Sequence, residues 1–413
     1  MTLFADAATS FITQSPDATS RDRAWRAYLD EGLPTTKDEV WRYAPLNELD
    51  LEHYSVAREP RPGVDSPFAD QLCSTAGLIV RVTDGFLDEP SETIEGVTVQ
   101  ATDTAECLNG EDRVDRYASD SFALLNAALA PATTLVRIAA GVHVARPIVI
   151  VHATNSSSSF VRTHVELGRG ASATVVEYFE GGDDALVVPL SEYAVGDNAS
   201  LQLVTYQRLS ASAWHVARTT AFLDRDARMS QAVIGMGGHY DRSRNDAVLR
   251  GAGAQNELRT TFLGADSQVH DFRTHQLHVA PRSRSLLLSK GAVADESRSV
   301  YTGLIEIEKG ATRTDARQTN HNLLLSPLAH ADSVPNLEIR ENDVMCAHAS
   351  SVGPLDELQR WYLESRGVRR RDAERLMIQG FFNEMLVALP QDLAGLVEGD
   401  VTTALGALRV VAP

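Results

Sequence analysis

The 413-residue chain is 43% apolar and carries a formal net charge of -18 at pH 7. The apolar content is enough for a large core divided among two or three structural units. The charge argues against nucleic acid or an anionic membrane as a partner, since either would be repelled.

Lys37, Lys290 and Lys309 are the only lysines among 38 basic residues, an arginine bias compatible with a salty cytoplasm and with a GC-rich genome alike. Cys73, Cys107 and Cys346 are too scattered for a disulfide framework and match no zinc-finger spacing. The N-terminal MTLFADAATSFITQ has neither the basic nor the apolar region of a secretory signal. The apolar stretch from Leu135 to Val151 is broken by Arg137, His143, Arg146 and Pro147, so no span crosses a membrane. A soluble, cytoplasmic protein is expected.

Residues 1–130 read as a helical and mixed region. Ser20 can cap a helix with Trp25, Tyr28 and Leu29 on one face, ended by Gly32 and Pro34. A short element, TTKDEVWRYAPL, covers Thr35 to Leu46. Between Ala76 and Val99 the runs LIVRV and VTV are β-like, separated by Asp84-Gly85 and Glu95-Gly96. DRYASDSFALLNAALA then predicts a helix whose Tyr117, Phe122, Leu124, Leu125 and Leu129 are core residues.

From Leu135 the texture changes to short strands that repeat. ELGRGASATVVEY, YAVGDNASLQLVTY, AFLDRDARMSQAVI, VLRGAGAQNELRTTF and EIEKGATRTDARQ each join a strand to a Gly or Asp corner, a small residue and a second strand. The corner alanines are Ala171, Ala199, Ala227, Ala254 and Ala311, with gaps of 28, 28, 27 and 57 residues. The doubled gap leaves room for a degenerate turn at Pro281 to Ser285, and Gly141-Val142 lies one period upstream. Such a period without intervening helices predicts a solenoid, a parallel β-helix of about seven or eight turns over residues 131–350. A β-sandwich also has many short strands, but it does not require corners at a fixed spacing.

The last strands, NLEIRENDVMCAHASSVG from Asn336 to Gly353, carry Cys346 and His348. Two residues apart on a strand, their side chains share one face about 7 Å apart. A thiolate and an imidazole suit iron, zinc or sulfur chemistry, while a buried Cys beside an incidental His is the structural alternative. An uncapped solenoid end is also an open strand edge, here offering Leu337, Ile339 and Val344 to another β-helix.

Residues 351–413 read as a C-terminal helical domain. PLDELQRWYLESRG places Leu355, Leu358, Tyr362 and Leu363 at helical spacing; RRRDAERLMIQGFFNEMLVALP does the same for Leu376, Met377, Phe381, Met385 and Leu389. This hairpin serves either core packing or, through Leu358, Tyr362, Phe381 and Met385, the docking of a partner. The cluster Arg369, Arg370 and Arg371 is read as a solvated turn.

Other constellations carry less. In one strand His275 faces opposite to His270 and His278, which stand too far apart to share an ion unaided. His321 precedes His348 by 27 residues, close to the repeat, and is a secondary ligand candidate. Gly235, Gly237 and Gly238 have no helix after them, so no phosphate loop is expected. No P-loop lysine or Gly-x-Ser-x-Gly is present, so any ATP dependence must come from a partner.

LPTTKDEVWRYAPL, DSFALLNAALA, HDFRTHQLHVAPRSRSLLLSKGAVADESRSVYTGLIEIEKGA and RQTNHNLLLSPLAHADSVPNLEIRENDVMCAHASSVGPLDELQRWYLESRG resemble the SufB/SufD scaffolds of iron-sulfur cluster assembly, and the SufD branch in particular. The resemblance covers most of the chain. It implies an N-terminal helical region, a right-handed parallel β-helix and a C-terminal helical domain. It further implies pairing of the β-helix end with a SufB-like paralogue, and a SufC-type ATPase on the C-terminal helices. ATP-driven closure would then open an inter-subunit site where iron and sulfide assemble. Cys346 and His348 fall on site-lining positions, with His348 the preferred cluster ligand. The sulfur-accepting Cys of the SufB branch falls at His321, so this chain is not expected to be the primary sulfur acceptor.

The expected role is thus a non-catalytic scaffold subunit sharing a transient iron-sulfur cluster or iron with its partner. A flavin has been associated with such complexes, but no flavin site is legible here. The alternatives are a β-helix polysaccharide lyase or hydrolase, and a SufB-like homodimer working without a paralogue.

Overall fold

The computed structural model describes residues 3–63, 66–88, 90, 93–102, 120–387 and 389–407. Two sheets, of 10 and 11 strands, arise almost wholly from parallel pairing between successive turns of one β-solenoid. On the 10-stranded side the register runs through Ser172, Ser200, Arg228, Gln255, Arg284, Asp315 and Met345, in steps of 28, 28, 27, 29, 31 and 30 residues. The doubled gap in the corner alanines divides at Ser283, within the Pro281–Ser285 segment.

Each corner on this side has a common physical cause. Gly170, Asn198, Asp226, Gly253, Arg282 and Gly310 all take positive φ, which Gly, Asn and Asp adopt at least cost. The N–H groups of Gly170, Asn198, Asp226, Gly253 and Arg282 donate to carbonyls of the following turn at 2.8–3.1 Å. The next side chain points inward and has to be small. Ala171, Ala199, Ala227, Ala254, Ser283 and Ala311 are each at most 1% exposed.

Between the sheets the early turns pack Ile148, Ile150, Val165, Val175, Leu201 and Leu203 into one dry column. Each such side chain contributes about 1.5–3 kcal/mol by leaving water. Both outer faces are covered by helices. Helices α1 (Leu3–Gln14), α2 (Ala18–Glu31) and α4 (Ser121–Leu129) join Leu186, Val188, Trp214, Val216 and Tyr240 in one apolar cluster; α3 (Pro67–Ser74) packs on the other sheet. Three C-terminal helices follow, α5 (Glu357–Ser365), α6 (Arg370–Leu386) and α7 (Gln391–Ala407). From them Ile378, Phe382, Leu393, Val397 and Val401 pack on Val176, Val204, Tyr206 and Ile234 of the 10-stranded sheet. No helix among the described residues is long and apolar enough to cross a membrane.

Several elements differ from the sequence expectation. Ser20 lies inside α2, whose N-cap is Asp17, and Leu29 is 56% exposed while Arg21, Ala24, Trp25 and Tyr28 form the buried face. Arg21 is held there by the carbonyls of Ala128 and Ala130 at 3.1 and 2.6 Å, so a charged residue took the inward place. The helix α4 starts at Ser121, capped by Asp120; Tyr117, like Cys107, lies outside the described residues. Leu78–Thr83 pairs in parallel with Ile148–Thr154, so the sheets reach back before residue 131.

At the C-terminus the expected hairpin is three helices. In α6 the buried residues are Ala373, Glu374, Ile378, Phe382, Met385 and Leu386, while Leu376 is 51% exposed. The helix is enclosed by the sheet and by α7, so its inward stripe is set by these neighbours rather than by the most apolar periodicity.

Candidate functional site at the open end

The solenoid's two ends are unlike. At the first, the sheets finish in antiparallel strands, the two-residue Phe86–Leu87 and Val97–Thr102. At the second, His330–Ile339 and Val344–Gly353 are the outermost strands, each with a neighbour on one side only among the described residues. A row of unpaired N–H and C=O groups on two long edge strands is a surface that recruits another strand.

Cys346 and His348 stand on this edge and share a face, as their spacing requires. Cys346 pairs with Ala316 and His348 with Gln318, both buried and turned between the sheets, so thiol and imidazole lie at the mouth of the solenoid. The mouth has a dry half and a polar half. Leu337, Val344 and Cys346 pack against Ile305, Ile307, Ala311 and Ala316. Opposite them, Ser333 Oγ accepts from Asn320 Nδ2 at 2.9 Å and from Ser350 Oγ at 2.8 Å. The buried amides of Gln318 and Asn322, one turn in, have no hydrogen-bond partner among the described residues. Burial on the dry side pushes the Cys346 thiol above its ordinary range, with the nearby Asp315 carboxylate adding to the effect. In the lone chain it therefore stays protonated, and binding metal would require that proton to leave. His348 is exposed.

His321 does not join them. Its rung partner is Ser351, three residues beyond His348, and an odd offset along a strand reverses the face. The step between these two strands is 30 residues, three more than the 27 that separate His321 from His348. His321 Nδ1 instead hydrogen-bonds Ser351 Oγ at 2.6 Å on the outer face. Partial burial, and next the Lys290 ammonium, hold its pKa below the ordinary histidine value. Among the described residues no three His, Cys, Asp or Glu side chains are grouped to hold a metal ion. Cys346 and His348 are two ligands of an incomplete set.

The other expected candidates fall as follows. His270 and His278 are interior and His275 faces outward, pairing with Glu306 at 3.0 Å. A side chain on Gly237 would stand 2.0 Å from the Leu209 carbonyl oxygen, which explains that glycine as close packing. At the open end Ile339 is 45% exposed, and Leu337 and Val344 are half-buried. On α5, which buries no residue, Leu358 and Tyr362 are exposed. Phe381 is half-buried against Lys290, and Met385 is 3% exposed and so is corrected from docking surface to interior.

Sequence reasoning passed over Met345 and Trp361, 63% and 65% exposed. Trp361 lies three residues after Leu358 on one helix face, a spacing that could have identified it.

Residues 149–381 match the family model described as SUF system FeS cluster assembly, SufBD core domain. The chain is 31% identical over 372 residues to the iron-sulfur cluster assembly protein SufD of Escherichia coli (strain K12), covering 87% of this chain and 86% of that protein. It is 33% identical over 272 residues to SufD of Bacillus subtilis (strain 168), covering 64% and 62%. An iron-sulfur cluster assembly SufBD family protein of Mycobacterium tuberculosis (strain ATCC 25618 / H37Rv) is 29% identical over 374 residues, covering 87% and 86%. With the solenoid and its match over more than half the sequence, the chain belongs to the SufBD family of iron-sulfur cluster assembly proteins.

Proposed function

We propose that this chain is a SufD-like scaffold subunit that pairs through its open end with a SufB-like paralogue and carries a SufC-type ATPase on its C-terminal helices. The observation that carries this reading is the asymmetry of the solenoid: one end finished by antiparallel strands, the other left as two bare edges presenting Cys346 and His348. A second solenoid end set on those edges would cover Leu337, Ile339 and Val344 and supply the ligands this chain lacks. The nascent iron-sulfur cluster is then cargo, held between chains by ligands few enough to let it move on. His348 is the principal ligand and Cys346 the neighbouring thiol, while His321 stays outside the set on the outer face. Leu358, Tyr362 and the exposed Trp361 form the ATPase-docking surface, and the half-buried Phe381 contributes from α6. The subunit itself is non-catalytic and works in the cytoplasm, where the Cys73 and Cys346 thiols stay free.

Co-expression with a SufB-like and a SufC-like subunit, followed by anaerobic size exclusion, tests the pairing. A stable three-protein complex is expected, and elution of this chain as a monomer overturns the reading. Replacing Leu358 and Trp361 by Asp should release the ATPase and leave the solenoid pair intact.

A further inference from the structure

We propose that Lys290 is a positioning residue that latches the C-terminal helices to the edge strand carrying Cys346 and His348, so that movement of α5 is felt at the open end. Lys37 and Lys309, the other two lysines, are exposed, whereas Lys290 is 8% exposed on the outer face of the 10-stranded sheet. It sits under α6, donating to the Phe381 carbonyl at 3.2 Å and to Glu384 Oε2 at 2.5 Å, with its ammonium 4.7 Å from the centre of the Phe381 ring. A buried ammonium that lost these partners would be strongly destabilised, so the contact specifies where α6 lies.

The same residue begins a row of rungs that ends at the edge. Lys290 pairs with His321, and His321 with Ser351 of the outermost strand, where the two side chains hydrogen-bond. From Gly353 the chain leaves the edge, forms α5, and returns through α6 to Glu384 on Lys290. The loop closes on itself. Within it α5 has no fully buried side chain, but Arg360 ties it to α6 by reaching the buried Glu374 carboxylate at 3.4 Å, so α5 is held between the edge strand at one end and α6 with its Lys290 clamp at the other. An edge strand with one neighbour has little else to fix its outer half. A load on α5 therefore reaches two places, and the Lys290 clamp, added to the apolar packing of Ile378 and Phe382 on the sheet, keeps α6 in place and directs the load to the edge.

The biological source of such a load rests on the docking proposed above, but the latch itself does not. Hydrogen exchange on the isolated full-length chain tests it separately. In Lys290→Met, the amides of Phe381–Leu386 and of Val344–Gly353 should exchange about tenfold faster, while Ser200–Leu209, in the middle of the sheet, keeps its wild-type rate. Lys290→Arg, which keeps a cation within reach of Glu384, should restore most of the edge-strand protection. Faster exchange confined to α6 would overturn the latch, as would an equal rise in all strands. Loss of ATPase docking with the exchange pattern intact would instead count only against the docking surface.

Discussion

His278 gives the sharpest test of how the solenoid interior is built. Its side chain is fully buried beside the degenerate corner, and both ring nitrogens are engaged, Nδ1 with Ser283 Oγ at 2.8 Å and Nε2 with Ser285 Oγ at 2.9 Å. Burial lowers its pKa from 6.5 to about 4, with the nearby His275 adding to the fall. Between those values the unfolded chain takes up a proton that the folded chain refuses. Stability therefore falls as pH drops from 6.5 towards 4, by about 3 kcal/mol, at about 1.36 kcal/mol per pH unit. His278→Gln keeps an amide within reach of the two hydroxyls and removes the titration. Urea unfolding of both proteins, followed by circular dichroism between pH 7.5 and 4.5, isolates this residue from the other ionising groups. At neutral pH the variant should be the less stable, and the gap should narrow or reverse in acid. Parallel profiles across that window would refute the assignment of His278 as a buried neutral histidine.

Four further outcomes follow from the packing and the site. A Cβ on Gly291 would lie 1.9 Å from Phe262 Cζ, so Gly291→Ala should cost about 1–3 kcal/mol by thermal melting; Gly380→Ala, in α6 with nothing nearby, should stabilise by about 0.5–1 kcal/mol. Asn322→Leu removes two buried polar atoms without partners and should be neutral or stabilising by about 1 kcal/mol in the same melt. Because burial raises the Cys346 thiol, iodoacetamide should label it more slowly than free cysteine at pH 7.5, with a rate that climbs past pH 9, read by peptide mass spectrometry.

Much of this architecture is legible in the sequence because its causes are local. A corner that must turn into the left-handed region and then point a side chain inward selects Gly, Asn or Asp followed by Ala, and that pair recurs at Ala171, Ala199, Ala227 and Ala254. The common face of Cys346 and His348 follows from strand geometry alone. The face of His321 does not. It depends on the exact length of the last step, 30 residues against the 27 that separate His321 from His348, and a slip of one residue inverts a side chain. Met385 and Leu376, placed on one apolar face by their spacing, part company for a similar reason: the sheet and α7 take Met385 inside and leave Leu376 exposed. The part played by Lys290 was invisible, because its rung partner is set by register and its bonds come from 91 and 94 residues away.

The central claim is that Cys346 and His348 form part of a site that another chain completes. It is tested most directly by measuring iron and sulfide retained after anaerobic reconstitution and desalting, for the isolated chain and for its complex with the SufB-like and SufC-like subunits. The account predicts little iron on the lone chain, a retained cluster on the complex, and a clear loss with His348→Ala while the complex still assembles. A full cluster held by the isolated chain, or an undiminished cluster in the His348→Ala complex, would contradict it.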